Sequence, residues 1–133
     1  MIFDSTREKV LLTQRTDNCK WCLPGGAMDA GESATEACER EIFEETSLKI
    51  KAKRLIGVYS NPNQLVIYKD GTKVFMVALS FEAEVLSGEL NLSNETTAFG
   101  YFSLQEMESM PMHGEHKERI LDALLNQKDA VIR

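Results

Sequence analysis

Three glutamates in one short stretch of the chain could together bind a divalent metal ion. Glu41, Glu44 and Glu45 follow the i, i+3, i+4 spacing that places side chains on one face of a helix. Like charges at this spacing repel by about 0.2–0.5 kcal/mol per pair when exposed, and partial burial raises that cost. A hard divalent cation relieves the repulsion, and an oxygen-only ligand set favours Mg²⁺ or Mn²⁺ over zinc.

The apolar side of this helix decides between a metal site and an ordinary acidic surface. At about 100° per residue, Glu41 and Glu45 lie inside the apolar stripe and Glu44 lies at its margin. Glu36 and Glu39 point away from the stripe and need only water or a cap. The alternative is a solvated acidic helix, whose acids would lie outside the stripe, so the pattern favours a metal site. The stripe consists of Ala34, Ala37, Cys38 and Ile42.

Local signals define the helix and the turn before it. Ser33 and Glu36 form a capping-box pattern, which predicts a helix over about Ala34–Thr46. The Gly25-Gly26 pair predicts a sharp turn, where the backbone can closely approach a ligand or an ion. The acids therefore lie on a helix that begins shortly after a glycine turn.

Arg40 and Glu32 are the charged neighbours of the three glutamates. Arg40 and Glu44 are four residues apart, and their ion pair adds only about 0.3–0.5 kcal/mol on a surface. The pair would be more useful for holding the Glu44 carboxylate in one rotamer. Glu32 either pairs with Arg40 or belongs to an outer shell around the metal, and the sequence leaves both open.

The rest of the chain predicts a mixed sheet with one early helix and two helices near the C-terminus. This order indicates an α/β or α+β fold rather than a repeating βαβ fold. Asp70-Gly71 is the strongest hairpin signal. The predicted strands are a strand end at Met1–Phe3, Lys9–Arg15, Leu48–Tyr59, Leu65–Tyr68, Lys73–Val85 and Phe99–Phe102, and the later helices are Leu104–Glu108, with a Ser103/Glu106 capping box, and Glu115–Asn126.

Composition limits the classes of function. A chain of 133 residues, 43% apolar and 27% charged, fits one globular domain. It has no apolar run of about 18 residues and no signal-peptide pattern, so no membrane segment is expected. Its three cysteines indicate reduced thiols in the cytoplasm. The net charge of −6 argues against a nucleic-acid partner.

The stretch from the glycine turn to the end of the helix resembles the signature of the Nudix hydrolase family. That signature is G-x5-E-x7-R-E-U-x-E-E-x-G-U, where U is an aliphatic residue. One fixed position departs from it, because Ser47 stands where the family has glycine. A serine there costs up to about 1–2 kcal/mol if the left-handed conformation is kept. The matching residues are Gly26, Glu32, Arg40, Glu41, Ile42, Glu44, Glu45 and Leu48.

The resemblance implies a Nudix-type α/β/α sandwich with a mixed β-sheet, formed by residues 1–133 as a single domain. Only three residues precede the turn at Asp4, which predicts a shortened N-terminal strand. The implied activity is that of a MutT-like pyrophosphohydrolase. It would cleave the diphosphate linkage of a nucleoside diphosphate joined to another group: a nucleotide sugar, ADP-ribose, a CDP-alcohol or a nucleoside triphosphate. A homodimer is compatible with the resemblance.

The alternative is a non-catalytic Nudix-fold module that binds a nucleotide or regulates a partner. Such a module would be expected to lose one of the three metal-binding glutamates, and all three are present here.

The resemblance also implies roles for individual residues. Mg²⁺ or Mn²⁺ would be bound by Glu41, Glu44, Glu45 and the carbonyl of Gly26. The catalytic set adds Arg40 and Glu95, and either Glu41 or Glu95 would act as the general base. Tyr59 could line a base or sugar pocket, although sheet packing is its other interpretation. The substrate-binding candidates are Arg15, Tyr59 and Glu32.

Overall fold

The computed structural model describes residues 1–133 as eight strands and three helices. No helix combines the length and the apolar character that crossing a membrane requires. The elements in chain order are β1 (Val10–Arg15), β2 (Trp21–Cys22), α1 (Ala34–Thr46), β3 (Lys49–Tyr59), β4 (Leu65–Ile67), β5 (Lys73–Phe75), β6 (Ala78–Ser87), β7 (Thr96–Phe102), α2 (Leu104–Met107), α3 (His116–Leu124) and β8 (Val131–Ile132).

The strands form three sheets, ordered β2-β1-β7, β6-β3-β8 and β4-β5. All strand pairs are antiparallel except β3 with β8, so the predicted mixed α/β architecture is confirmed. The strands of the predicted mixed architecture divide between these separate sheets. β2 and β8 were not predicted, since two residues carry no periodicity and their pairing depends on distant parts of the chain.

Strand β1 lies at the centre of the fold because both of its faces are buried. Leu11 belongs to the core that contains Ile42 of α1, whereas Val10 and Leu12 belong to the core that contains Ile120 of α3. Successive side chains of a strand point to opposite faces. The uninterrupted apolar run at the start of β1 therefore contributes to both cores of the α/β/α sandwich.

The segment before β1 forms less strand than predicted. Met1 and Ile2 are buried, but only Phe3 forms a bridge, which pairs it with Val10. The Met1 carbonyl accepts a hydrogen bond from the Ala83 N–H at 2.8 Å. The predicted strand end is thus reduced to a single bridge, and Met1 makes two hydrogen bonds to β6, because its amino group also donates to the Phe81 carbonyl.

The hairpin at Asp70-Gly71 is confirmed, but the strand that follows it is shorter than predicted. Gly71 has a φ of 86°, and the Tyr68 N–H donates to the Thr72 carbonyl at 2.9 Å. The predicted strand Lys73–Val85 is in fact two strands, β5 and β6, separated at residues 76–77. The apolar run continues through that break, which is why the pattern alone did not reveal it.

Both predicted capping boxes are present. Ser33 accepts the Glu36 N–H and Glu36 accepts the Ser33 N–H, which fixes the start of α1. The helix spans Ala34–Thr46, as predicted. Ser103 and Glu106 cap α2 in the same way. α3 is shorter than predicted, and its N-cap residue makes no side-chain cap hydrogen bond.

The prediction that Glu39 needs only water was wrong. Its carboxylate accepts a hydrogen bond from the Ala52 N–H at 3.1 Å and lies 3.3 Å from the Lys51 ammonium. The register between β3 and β6 shifts between Ala52 and Arg54. Glu39 thus accepts the hydrogen bond of a backbone N–H that lies beside an irregularity in the strand. Glu39 therefore joins α1 to β3.

Ser47 adopts a left-handed conformation, which favours the glycine that the family signature has at this position. Its φ is 64° and its ψ is 10°, and its N–H donates to the Phe43 carbonyl. A Ser47→Gly variant is therefore expected to be more stable by about 0.5–1 kcal/mol, because glycine enters this region without a Cβ penalty. Urea unfolding measures the change, and Ser5→Gly in the exposed turn before β1 is the control. A loss of stability in Ser47→Gly would contradict the assignment of strain to this position.

Candidate active site

A cavity of about 600 Å³ opens between the glycine turn, α1, the end of β1 and the loop before β7. Four carboxylates and a single cationic side chain line it. The predicted site residues that it contains are Arg15, Gly26, Glu41, Glu44, Glu45 and Glu95, and the remaining lining residues are Gly25, Ala27, Ser93 and Asn94.

Pairing between β1 and β7 brings Arg15 and Glu95 to the same cavity. Arg15 is the register partner of Thr96, and the Thr16 N–H donates to the Glu95 carbonyl at 3.1 Å. Asp17 receives two hydrogen bonds from the Arg15 guanidinium, at 2.9 Å and 2.7 Å. The structure thus places the cation and the loop acid in one cavity, although Arg15 and Glu95 are 80 positions apart in the sequence.

Arg40 binds several carboxylates and holds the turn against α1. Its guanidinium donates two hydrogen bonds to Glu32, at 2.5 Å and 2.9 Å, and one to Glu41 at 2.8 Å. It also donates to the Ala27 carbonyl at 3.0 Å and, at 3.3 Å, to Glu44. The predicted pair with Glu44 is present, but it is the longest of these contacts. Arg40 lies behind the cavity wall and does not line the cavity itself.

The two interpretations of Glu32 are separated by these contacts. Its carboxylate is fully engaged by Arg40 and by the Asp29 N–H at 2.9 Å. The Arg40 hydrogen bonds, and secondarily the Asp29 N–H, lower the pKa of Glu32 to about 2. Glu32 is therefore an ionised partner of Arg40, and it is not among the residues that line the cavity.

Glu45 is the most strongly perturbed acid of the cavity. Its carboxylate accepts the Gly25 N–H at 3.0 Å. Burial raises the pKa of Glu45 to about 7, the Gly25 hydrogen bond opposes that shift, and the negative charges of Glu41 and Glu95 add to it. A carboxylate in such surroundings is a good ligand for a cation, because the cation removes both the burial cost and the repulsion.

Gly26 lies directly against the end of the Glu41 side chain. A Cβ on this residue would overlap the carboxylate of Glu41, including both of its oxygens. The absence of a Cβ therefore lets the backbone of the turn lie directly on the acid.

The residues present fit a hard divalent cation by their chemistry. Three carboxylates of α1 and the backbone at Gly26 face one cavity, and no thiol or imidazole lines it. No group of three or more His, Cys, Asp or Glu side chains is already converged to hold a metal ion. Glu41 is turned towards Arg40 and Glu45 towards the Gly25 N–H. Binding a metal would therefore require these carboxylates to rotate into the cavity.

Tyr59 is not brought to the cavity. It is 2% exposed, and its hydroxyl donates to the Asp122 carboxylate at 3.0 Å. The Arg119 guanidinium lies 5.1 Å from the centre of its ring. Tyr59 thus packs between β3 and α3, so the sheet-packing interpretation holds and its placement in a base or sugar pocket was wrong.

Several residues near the cavity were not recognised from the sequence. Asp17 holds Arg15, the Ala27 carbonyl accepts Arg40, and Ser93 and Asn94 complete the cavity wall. Nor did the sequence indicate that the His116 Nδ1 accepts the Leu23 N–H at 2.9 Å. No periodic signal could reveal that contact, because 93 residues separate the two positions.

Comparison with known proteins gives a consistent result. The family model described as NUDIX domain matches residues 1–124. An ADP-ribose pyrophosphatase of Methanocaldococcus jannaschii is 34% identical over 117 residues, which cover 86% of this chain and 64% of that protein. A MutT-like protein of Streptomyces ambofaciens is 32% identical over 116 residues, covering 87% of this chain and 68% of that protein. The chain thus spans about two thirds of the length of these relatives.

Solved structures show the same likeness at the level of the fold. The crystal structure of an ADP-ribose pyrophosphatase from Streptococcus suis has a TM-score of 0.75 and 26% sequence identity, and the match covers 99% of this chain and 92% of that one. A NUDIX hydrolase from Nitrosomonas europaea also has a TM-score of 0.75, at 22% identity, with coverage of 98% and 88%.

Proposed function

Because this chain belongs to the NUDIX domain family, we propose that it is a metal-dependent pyrophosphohydrolase acting on a small nucleoside diphosphate derivative. The observation that carries this proposal is the cavity in which the three α1 glutamates meet Glu95 and Arg15. Four carboxylates and one guanidinium suit a bound cation far better than an anionic substrate alone. A substrate with two phosphates would enter together with a cation, which compensates the negative charges of both the carboxylates and the phosphates.

The donor set fits Mg²⁺ or Mn²⁺, held by Glu41, Glu44, Glu45 and the Gly26 carbonyl. Such an ion, when bound, polarises phosphoryl oxygens and lowers the pKa of a coordinated water. Arg15 is the one cation lining the cavity and would contact a phosphate oxygen of the substrate. Asp17 keeps the Arg15 guanidinium at the cavity edge through its two hydrogen bonds.

The reaction would be attack by a water oxygen on one phosphorus of the diphosphate. A P–O bond forms, the bridging P–O bond breaks, and the bridging oxygen leaves with the second phosphate. The water proton goes to a carboxylate, for which Glu41 and Glu95 are the candidates. Glu41 already accepts a hydrogen bond from Arg40, whereas the Glu95 carboxylate has no hydrogen-bond partner. This difference supports Glu95 as the general base.

The substrate class follows from what the cavity can recognise. The acids, through a cation, and Arg15 would contact only the diphosphate. Nucleotide sugars, ADP-ribose, CDP-alcohols and nucleoside triphosphates therefore all suit the chemistry. A volume of about 600 Å³ is within the usual range for small-molecule sites. The ADP-ribose pyrophosphatases among the relatives support ADP-ribose as the first compound to test. The three free cysteines suit a reducing compartment, and we propose the cytoplasm.

A substrate panel tests the proposal. With Mg²⁺ or Mn²⁺, the protein is expected to release a nucleoside monophosphate from ADP-ribose or another member of the panel, and excess EDTA should abolish turnover. Mg²⁺ alone is expected to raise the thermal unfolding temperature, because binding to the folded state stabilises it. Ligand binding without turnover on the whole panel would favour the non-catalytic alternative. The absence of both turnover and a metal-dependent thermal shift would overturn the metal site.

A further inference from the structure

The segment between α2 and α3 holds the start of the glycine turn. The Trp21 N–H donates to the Pro111 carbonyl at 2.8 Å, and the His113 N–H donates to the Trp21 carbonyl at 2.8 Å. These bonds surround a parallel bridge between Trp21 and Met112. Both backbone groups of Trp21 are therefore held by a segment some 90 residues later in the chain.

One side chain extends this contact towards the cavity. The His116 Nδ1 accepts the Leu23 N–H at 2.9 Å, and Leu23 is buried. Burial, with smaller contributions from Arg119, His113 and Arg15, lowers the pKa of His116 to about 3. The imidazole is therefore neutral near pH 7 and can act as an acceptor.

The backbone donors that follow Leu23 connect this contact to the acids. Pro24 has no N–H, so the next donor in the turn is the Gly25 N–H, which donates to Glu45 at 3.0 Å. Two successive donors thus bind His116 of α3 and Glu45 of α1. The next residue, Gly26, lies so close to Glu41 that even a Cβ would overlap it.

The two carboxylates limit movement of the turn only while they keep these positions. Movement towards α1 then brings Gly26 into the Glu41 carboxylate, and movement away breaks the bond between Gly25 and Glu45, whereas the His116 contact does not depend on the rotation of either carboxylate. His116 is the side chain that fixes the turn from the opposite side, since α3 is rigidly packed through Ile120, which is fully buried in the same core as Leu23.

We propose that His116 is a positioning residue for the metal site: through Leu23 it sets where Gly25 and Gly26 lie against Glu45 and Glu41. This inference rests on the proposed function for its effect on catalysis. Its effect on the turn itself follows from the contacts and can be measured without a substrate.

The experiment compares three replacements of His116. In His116→Asn, the amide oxygen replaces Nδ1 and can accept the Leu23 N–H. In His116→Gln, the amide lies nearer the place of Nε2, and His116→Ala has no acceptor. The readouts are kcat and KM on the best substrate of the panel, the thermal shift on titration with Mg²⁺, and hydrogen exchange of the Leu23 amide by NMR.

The expected result is a split between the variants. His116→Ala and His116→Gln should lose at least about tenfold in kcat, because small displacements of a reacting site are costly. They should also need more Mg²⁺ for half of the thermal shift and exchange the Leu23 amide at least about tenfold faster. His116→Asn should stay within about threefold of the parent in all three readouts.

Two controls separate positioning from general destabilisation. Ile50→Val weakens the other core by about 0.5–1.5 kcal/mol and should leave kcat and Leu23 exchange unchanged. Lys117→Ala removes the next side chain of α3, which makes no hydrogen bond or ion pair, and it should leave all three readouts unchanged. The inference is overturned if His116→Asn behaves like His116→Ala, or if kcat follows thermal stability through all the variants.

Failure of the proposed function gives a different pattern from failure of this inference. If the parent protein hydrolyses nothing on the panel, the function fails, and Leu23 exchange together with the Mg²⁺ titration still decides the role of His116. If the parent is active but His116→Ala matches it in kcat and in Mg²⁺ requirement, only the positioning role fails.

Discussion

Replacing Glu45 by glutamine is expected to lower kcat at least about a hundredfold while the protein stays folded. Glu45 is the acid whose surroundings most favour a bound cation, and the amide removes its charge while preserving its size. A loss of this size corresponds to about 2.7 kcal/mol of transition-state stabilisation. The measurement is kcat at saturating Mg²⁺ for the parent and the variant.

Stability in the absence of metal should not fall in Glu45→Gln. The carboxylate is buried near the negative charges of Glu41 and Glu95, so its replacement by a neutral amide removes an unfavourable interaction. The rise in unfolding temperature on adding Mg²⁺ should shrink, because one ligand is lost.

Glu36→Gln is the matched control for this variant. Glu36 lies on the same helix but belongs to the capping box, where glutamine is also accepted. Its activity and metal response should equal those of the parent. Parental turnover in Glu45→Gln would remove Glu45 from the metal site.

Replacing Arg40 by lysine is expected to impair both activity and stability. Lysine keeps the charge but cannot reproduce the two-pronged contact with Glu32 while also reaching Glu41 and the Ala27 carbonyl. Glu41 would lose the partner that orients it and the turn would lose its tie to α1. We expect kcat to fall at least about tenfold, because displaced catalytic groups lose the reacting geometry.

The stability effect of Arg40→Lys should depend on pH in a defined direction. Arg40 lowers the pKa of Glu32 from 4.5 to about 2, so the stabilisation is fully present above pH 4.5 and is lost as the pH falls towards 2. The difference in unfolding free energy between parent and variant should therefore be largest near pH 7 and smaller at pH 3. Urea unfolding at the two pH values measures it.

Arg54→Lys provides the matched control away from the cavity. Arg54 donates to Glu82 at 2.7 Å and to the Gln127 carbonyl at 3.1 Å, and its side chain is 30% exposed, compared with 26% for Arg40. It should lose stability but keep kcat. If Arg54→Lys and Arg40→Lys lower kcat equally, the effect of Arg40 is general destabilisation and its role at the acids is wrong.

The local parts of this structure were predictable from the sequence for a physical reason. The ends of α1 depend on hydrogen bonds between residues three apart, so Ser33 and Glu36 were enough to locate the start of the helix. Helical periodicity likewise placed Glu41 and Glu45 near the buried side of α1, and both are partly buried. The sequence left the conformation of Ser47 open, and the structure shows that it is left-handed.

Contacts between distant segments were decided only by the tertiary structure. The pairing of β1 with β7 brings Arg15 and Glu95 to one cavity, and the packing of α3 brings His116 to Leu23. The bond between Glu39 and Ala52 and the burial of Tyr59 also depend on which elements pack together. Sequence spacing determined which side chains share a helix face. Strand register and packing determined which elements meet around the acids, because those contacts join residues that no local periodicity relates.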